Sequence, residues 1–471
     1  MANEALCWMP AAEMAAAIRR KKLSPVEVMR AVVDRIERLN PKLNAFVTLT
    51  TEQAMTDARA AERALGRKGA ALGPLHGVPF STKDLVITRG IRTTFGTPIY
   101  ADNVPAEDAP MVARLKAAGA IQLGKTNTPI FGWIGATHNP LFGITRNPWN
   151  TDRTPGGSSG GASAAVAAGL GPLAIGTDGG GSIRIPASFA GIFGHKPSYG
   201  RIPTYPVSGA WSLSHIGPMT RTVTDAALVM NACAGPDPRD QYSLPGDGVD
   251  YVKALKGSLE GMRVAWADTL GFARVVDPEV KAACAKAARR LRDAGARIES
   301  VNPGWPSPKD CWGAIFCGGI ATRLEPYMAD RRADIDAGLA RIVDEALRWP
   351  PTRYVQAWFD RLAWNEHPRR LFEKYDLLLT PTVACPAFPV GLDNPAEIAG
   401  QALEPYDWIP FTFPFNMTGN PAASVPCGFT SDGLPIGLQI VGRRFDDVRV
   451  LRAAAAFEQI MPWAPHRPPI D

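Results

Sequence analysis

Apolar residues in this chain recur at helical spacing in some stretches, form short unbroken runs in others, and the two patterns alternate. Ser24-Pro25-Val26-Glu27 reads as a capping box with proline at the first helical position, and VMRAVVDRIERLN continues it at helical spacing until Asn40-Pro41 ends it. A second helix is predicted over Glu107 to Ala118, stopped by Gly119. AIQLGK then alternates like a strand, and LAIGT (173 to 177) is another. Farther on come strand MRVAWAD, helix PEVKAACAKAARRLRDAG and strand ARIESV. YDLLLTPTV, PIGLQIVG and a final helix, DDVRVLRAAAAFEQI, repeat the alternation. Short, almost wholly apolar strands between helices predict an α/β fold whose sheet is covered on both faces.

Two stretches depart from that rhythm. AGPDPRDQYSLPGDGVD, from Ala234 to Asp250, is rich in Pro, Gly and Asp and reads as a long surface connection. Thr154 to Thr177 carries no charge, yet Gly-Gly-Ser-Ser-Gly-Gly opens it and Gly171-Pro172 breaks it. It is expected to form a buried loop and short helix, not a membrane span. There is no internal repeat and no low-complexity tract.

With 471 residues, the chain has room for up to about three domains or one large α/β domain. Lys and Arg number 51 against 45 Asp and Glu, a formal charge of +6. The bases are dispersed, and the one tight run, Arg19 to Lys22, closes an Ala-rich helix where cations suit the C-terminus; no nucleic-acid partner is implied. Seven scattered cysteines without CxxC spacing point to a reducing cytosol, and argue against a disulfide frame or a zinc site. The first twenty residues carry Glu4 and Glu13 and do not read as a signal peptide. A cytoplasmic protein without membrane contact is the expectation.

Two motif matches have the wrong context. Gly119 to Thr126 fits GxxxxGK[ST], but a phosphate-cradling loop follows a strand and opens a helix, whereas Ile121 and Leu123 are themselves strand-like. Gly156 to Gly160 fits GxSxG, but the coil NPWNTDRTP precedes it where a nucleophile elbow needs a strand. The six histidines show no metal spacing, and none is placed by chain order as a base for an elbow serine.

Three Gly-framed polar positions remain: Lys83 in GPLHGVPFSTKD, Ser158 in PGGSSGG and Ser182 in GTDGGGSIR. Glycine lets successive amides turn toward one point, so those of Gly179, Gly180, Gly181 and Ser182 can form an oxyanion hole beside the Ser182 hydroxyl. A lysine serves a serine as base if burial keeps it neutral, and Lys83 follows the apolar run Gly77 to Phe80. Lowering its pKa by roughly 3 units costs about 4 kcal/mol. The residues alone leave a second arrangement open, in which Lys83 pairs with Asp84 and the serines cap helices.

This ordered set of segments resembles the amidase signature family. The match runs through GKTN, TRNPWN, PGGSSGGASAAVAAG, GTDGGGSIRIPASFAGIFGHKPSYGR and HIGPMTRTVTD to NMTGNPAASVPCGFTSDGLPIGLQIVGR. The resemblance implies one large domain with a mixed central sheet covered by helices. Within it lie a signature core over about 70–230, a variable middle over about 235–375 and a C-terminal α/β return over about 376–471. It implies Ser182 as nucleophile, Ser158 as a bridging serine behind a cis peptide bond from Gly157, and Lys83 as base. Amide hydrolysis would proceed through an acyl-enzyme, with no metal or organic cofactor. Asp178 and Arg184 resemble a pair that braces the loop. Gly179 departs from the family's usual larger residue, which implies a more mobile loop or a roomier pocket.

A small-molecule amide is the implied substrate, with esters and carbamates as side substrates and a homodimer left open. Phe131 and Trp133 after GKTN, with Trp211 in SGAWSLSHIGP, suggest substrate-binding residues for an apolar or aryl amide. Within the same resemblance stands the glutamine-hydrolysing component of the tRNA-dependent amidotransferase, although this chain reads SIRIP where that component typically reads SIRQP. A nucleotide-binding protein and a catalytically silent binding module are the readings from other classes.

Overall fold

The computed structural model describes residues 2–470. Its centre is one sheet of eleven strands. Across the sheet they run Phe46–Leu49, Ile121–Thr126, Pro79–Lys83, Leu173–Asp178, His215–Thr220, Phe193–Lys196, Ala422–Phe429, Pro435–Gly442, Leu377–Pro381, Arg263–Trp266 and Arg297–Ser300. Parallel pairs on either side enclose an antiparallel middle, and the edge strand Phe46–Leu49 adds one further antiparallel pair, so the sheet is mixed.

Alternation along the strands explains why both faces are covered. Leu377 and Leu379 enter one apolar cluster and Leu378 another; Val264 and Ala265 divide the same way, as do Ile440 and Val441. Successive side chains on a strand point to opposite faces, so unbroken apolar runs need two covering layers. The edge strands Phe46–Leu49 and Arg297–Ser300 are the exposed ones. The helix Lys309–Leu324, from the weakly matching middle, buries Trp312, Phe316 and Ile320 in the same cluster as Phe189 and Trp408. That shared core makes the middle part of one domain.

The predicted capping box is present at Ser24 and Glu27, but Pro41 does not end its helix, which continues to Leu43. A proline in the last turn withholds a single N–H, and the buried Leu39 and Leu43 hold that turn against the core. Asn44, at φ 50°, closes it instead. The second helix is shorter than expected, Pro110–Ala117, because Pro110 takes the first helical position and leaves Glu107 and Asp108 before it. Gly119 to Thr126 holds no phosphate-type loop: Ile121–Thr126 is strand throughout. The uncharged stretch forms the fully buried helix Gly160–Ala167 and then a strand. Among the described residues no helix is long and apolar enough to cross a membrane.

Candidate active site

Lys83 is the last residue of the strand Pro79–Lys83 and is fully buried. Its Nζ lies 2.7 Å from Ser158 Oγ and 2.9 Å from Thr177 Oγ1, the latter on the adjacent parallel strand. Asp84 turns away and accepts the Thr94 amide at 3.1 Å and the Thr94 hydroxyl at 2.5 Å, so it does not pair with Lys83. Burial holds the Lys83 amine well below the usual lysine range, and the charge of Asp178 pulls back only in part. An amine kept neutral there has a lone pair for the Ser158 proton.

Ser158 stands in the turn before the helix Gly160–Ala167, and the Gly157–Ser158 peptide is cis. A side chain at 157 is impossible: its Cβ would lie 2.2 Å from the Ala136 carbonyl oxygen. Next to it, Ser159 ties three segments together. Its hydroxyl donates to the Thr177 carbonyl at 3.2 Å and accepts the Thr177 amide at 3.3 Å, while its own amide donates to the Ser182 carbonyl at 3.2 Å.

Ser182 precedes the helix Arg184–Ala190 in a loop built around one buried ion pair. Arg184 donates through Nε and Nη2 to Asp178 at 2.9 Å each, and also reaches the Thr412 carbonyl, Gln439 and Asn416. Both side chains are fully buried. Burial alone would raise the Asp178 carboxyl, but Arg184, Lys196 and Asn416 overcome it and hold the group ionised, well below the usual carboxylate range.

Of the four amides expected to face an oxyanion, that of Gly181 is committed to Asp178 Oδ1 at 2.7 Å. Those of Gly179, Gly180 and Ser182 donate to no protein acceptor among the described residues. Trp312 Nε1 donates to the Gly179 carbonyl at 3.1 Å, and Thr412 Oγ1 to the Gly180 carbonyl at 2.6 Å. An N–H points away from the carbonyl of its own peptide unit, so the Trp312 bond fixes the direction of the Gly180 amide.

Ser158, Thr177, Gly179 and Ser182 open into a cavity of about 890 Å³, counting its mouth. Leu85, Val86, Phe95, Phe131, Phe316 and Ile320 are among the apolar residues of its wall, Thr204, Ser208 and Ser214 add hydroxyls, and among the described residues Arg323 is the only charged one that lines it. Phe131 stacks on Phe95 at 5.6 Å, with the Tyr100 ring edge-on to both.

The other two aromatics expected at the substrate are elsewhere. Trp133 shares one short turn with Phe131 but points the other way, into the apolar core, where its Nε1 donates to Asp336 at 3.2 Å. Trp211 lies between Tyr242 and Trp358 at 5.4 Å from each, in an outer groove that shares Thr204, Val207 and Ser208 with the cavity wall. No histidine among the described residues lines the cavity. Buried His215 has its Nδ1 2.8 Å from the Leu213 carbonyl, and burial pushes it well below the usual imidazole range, so it is neutral. Among the described residues no His, Cys, Asp or Glu cluster is arranged to hold a metal ion. All seven cysteines are buried, and none forms a disulfide among the described residues.

Phe316, Ile320 and Arg323 were not foreseen as cavity residues, because their segment matches the family weakly. Their spacing along the helix Lys309–Leu324, one and then a second turn apart on one face, is the signal that places them together.

Comparison with known proteins identifies the family. The model of the Amidase family matches residues 27–451. An acylamidase of Rhodococcus erythropolis is 43% identical over 473 residues, covering 99% of this chain and 98% of that protein. A glutamyl-tRNA(Gln) amidotransferase component from Moorella thermoacetica is 41% identical over 488 residues, covering 98% of this chain and 99% of that protein. Among solved structures, a bacterial aryl acylamidase of the amidase signature enzymes family superposes with a TM-score of 0.91 at 35% identity, covering 97% of each chain.

Proposed function

This chain belongs to the amidase signature family and is an amidase; from that premise we propose that it is a free-standing acylamidase cleaving apolar or aryl carboxylic amides with Ser182, Ser158 and Lys83. The observation that carries the reading is Lys83: fully buried, in no ion pair among the described residues, and 2.7 Å from a serine that shares an apolar cavity with Ser182.

In the proposed mechanism neutral Lys83 takes the Ser158 proton as Ser158 takes that of Ser182, and Ser182 Oγ bonds to the acyl carbon. The amides of Gly179, Gly180 and Ser182 are the donors left for the developing oxyanion. As the C–N bond breaks, the proton returns through Ser158 to the departing nitrogen. Water then attacks the ester carbonyl, yields its proton to the same relay, and frees the acid and Ser182.

The relative from Moorella favours a second reading, glutamine hydrolysis for a partner protein. Against it, the described cavity lining contains no Asp or Glu to receive the α-ammonium of glutamine. A cytoplasmic location is supported by the buried thiols.

The test is hydrolysis by the purified chain alone across glutamine, short aliphatic amides, aryl anilides, esters and carbamates, with Ser182→Ala as control. Turnover of apolar amides that the control loses supports the acylamidase. Turnover of glutamine alone, or of nothing until a partner is added, contradicts it.

A further inference from the structure

Arg323 is the one charged group in the described cavity lining. It leaves the helix Lys309–Leu324 and lays its guanidinium over the faces of Phe131 and Phe95, 5.3 and 5.8 Å from the ring centroids. Nη1 donates to the Val207 carbonyl at 3.3 Å, its single hydrogen bond among the described residues, while Nε is buried without a partner. Among the described residues it forms no ion pair.

A guanidinium has five donors in a planar fork, and a buried one left unsatisfied costs about 1–3 kcal/mol. The aromatic faces offset some of that but accept no directed hydrogen bond beyond the weak ring contact. Arg323 is half-buried, so the group presents spare donors and a positive charge without an ion-pair partner among the described residues to a cavity whose wall mixes apolar side chains with the hydroxyls of Thr204, Ser208 and Ser214. That combination suits a ligand with an apolar body and an electron-rich, hydrogen-bond-accepting end; a carboxylate fits the fork best.

We propose that Arg323 is a specificity-determining residue that selects amides whose acyl half ends in a carboxylate. The inference rests on the acylamidase reading. The acyl half is taken to lie between Ser182 and the Phe95–Phe131 pair, which line the same cavity as Arg323. Glutamine, whose γ-acyl half also ends in a carboxylate, is set apart by its α-ammonium, for which the described lining has no Asp or Glu.

The experiment compares p-nitroanilides of straight-chain monocarboxylic acids with the mono-p-nitroanilides of dicarboxylic acids of matched length, from four to eight carbons. At the best length the wild-type kcat/KM should favour the carboxylated partner by about tenfold or more, as expected for a charge-assisted hydrogen bond. Arg323→Met should erase that ratio by lowering kcat/KM for the carboxylated series more than for the uncharged one, and Arg323→Lys should restore part of it. A purely structural role would lower both substrates together. An unchanged ratio in Arg323→Met, or in Arg323→Gln should the first variant fold poorly, overturns the proposal, as does a wild-type preference for the uncharged series at every length. Turnover of neither series overturns the acylamidase reading and the proposal with it, whereas turnover of the uncharged series alone overturns the proposal and leaves that reading standing.

Discussion

The Lys83 amine meets Ser158 Oγ at 2.7 Å, while the carboxylate that follows it in the chain, Asp84, faces Thr94. A lysine placed this way cannot be an ion-pair partner. It has been desolvated without a counter-ion at contact distance, an arrangement that costs stability and yields a base.

If that base and Ser182 act as a unit, removing either should remove nearly all catalysis. Ser182→Ala and Lys83→Ala are each expected to lower kcat/KM on an aryl anilide by about a thousandfold or more, and the double variant by little beyond that. Near-normal turnover in either single variant would contradict the assignment.

The pH profile should carry an acidic limb set by Lys83. Its folded pKa is depressed, so the amine is neutral above that value and takes up a proton as pH falls through it. The rate, measured as kcat/KM against pH, should therefore fall with unit slope on the acid side. The same shift has a stability sign. Between the depressed value and the ordinary lysine value, the unfolded chain binds a proton that the folded chain does not, so this group makes stability rise with pH. Urea unfolding of Lys83→Met across that window should show a smaller rise than wild type.

The loop before Ser182 depends on the Asp178–Arg184 pair. Arg184→Met strands a buried carboxylate and should cost about 3–5 kcal/mol in urea unfolding, with loss of turnover. A change below about 1 kcal/mol would mean that the loop is held by its other contacts.

Gly179 and Gly180 should behave differently although they are neighbours. A Cβ at 179 meets Phe316 at 3.5 Å and Ala210 at 3.8 Å, ordinary contact, whereas one at 180 would lie 2.6 Å from the Trp312 ring. Gly179→Ala is expected to keep turnover and shift preference toward shorter acyl groups, because it fills cavity space. Gly180→Ala should lower turnover on every acyl length, since Trp312 or the loop must move. Relative kcat/KM across an acyl series checks both.

Phe131→Ala should alter the preference between aryl and small aliphatic amides. Trp133→Ala should leave that preference in place and destabilise the fold by about 3–5 kcal/mol. The reverse result would return Trp133 to the substrate.

Lys83, Ser158 and Ser182 stood out as candidates because each sits in a glycine-framed segment, but the residues alone left a Lys83–Asp84 pair open, and only the family resemblance proposed their roles. The strands were legible because sheet burial on two faces writes apolar runs. Trp133 misled for a physical reason: in a short turn, side chains two residues apart diverge, and composition cannot say which one enters the cavity. Pro41 misled because propensity describes a helix interior, and the last turn tolerates a missing N–H. Phe316, Ile320 and Arg323 were hidden for another reason. Their helix approaches Ser182 only after the chain has crossed the sheet, and no local pattern reports that contact.

The central claim is that Ser182 carries the acyl group, and intact-protein mass spectrometry during turnover of a slow apolar anilide or ester tests it most directly. The account predicts a mass increase equal to the acyl group, mapped by peptide digestion to Ser182 and absent in Ser182→Ala. An adduct on another residue, or hydrolysis at full rate by Ser182→Ala, would contradict it.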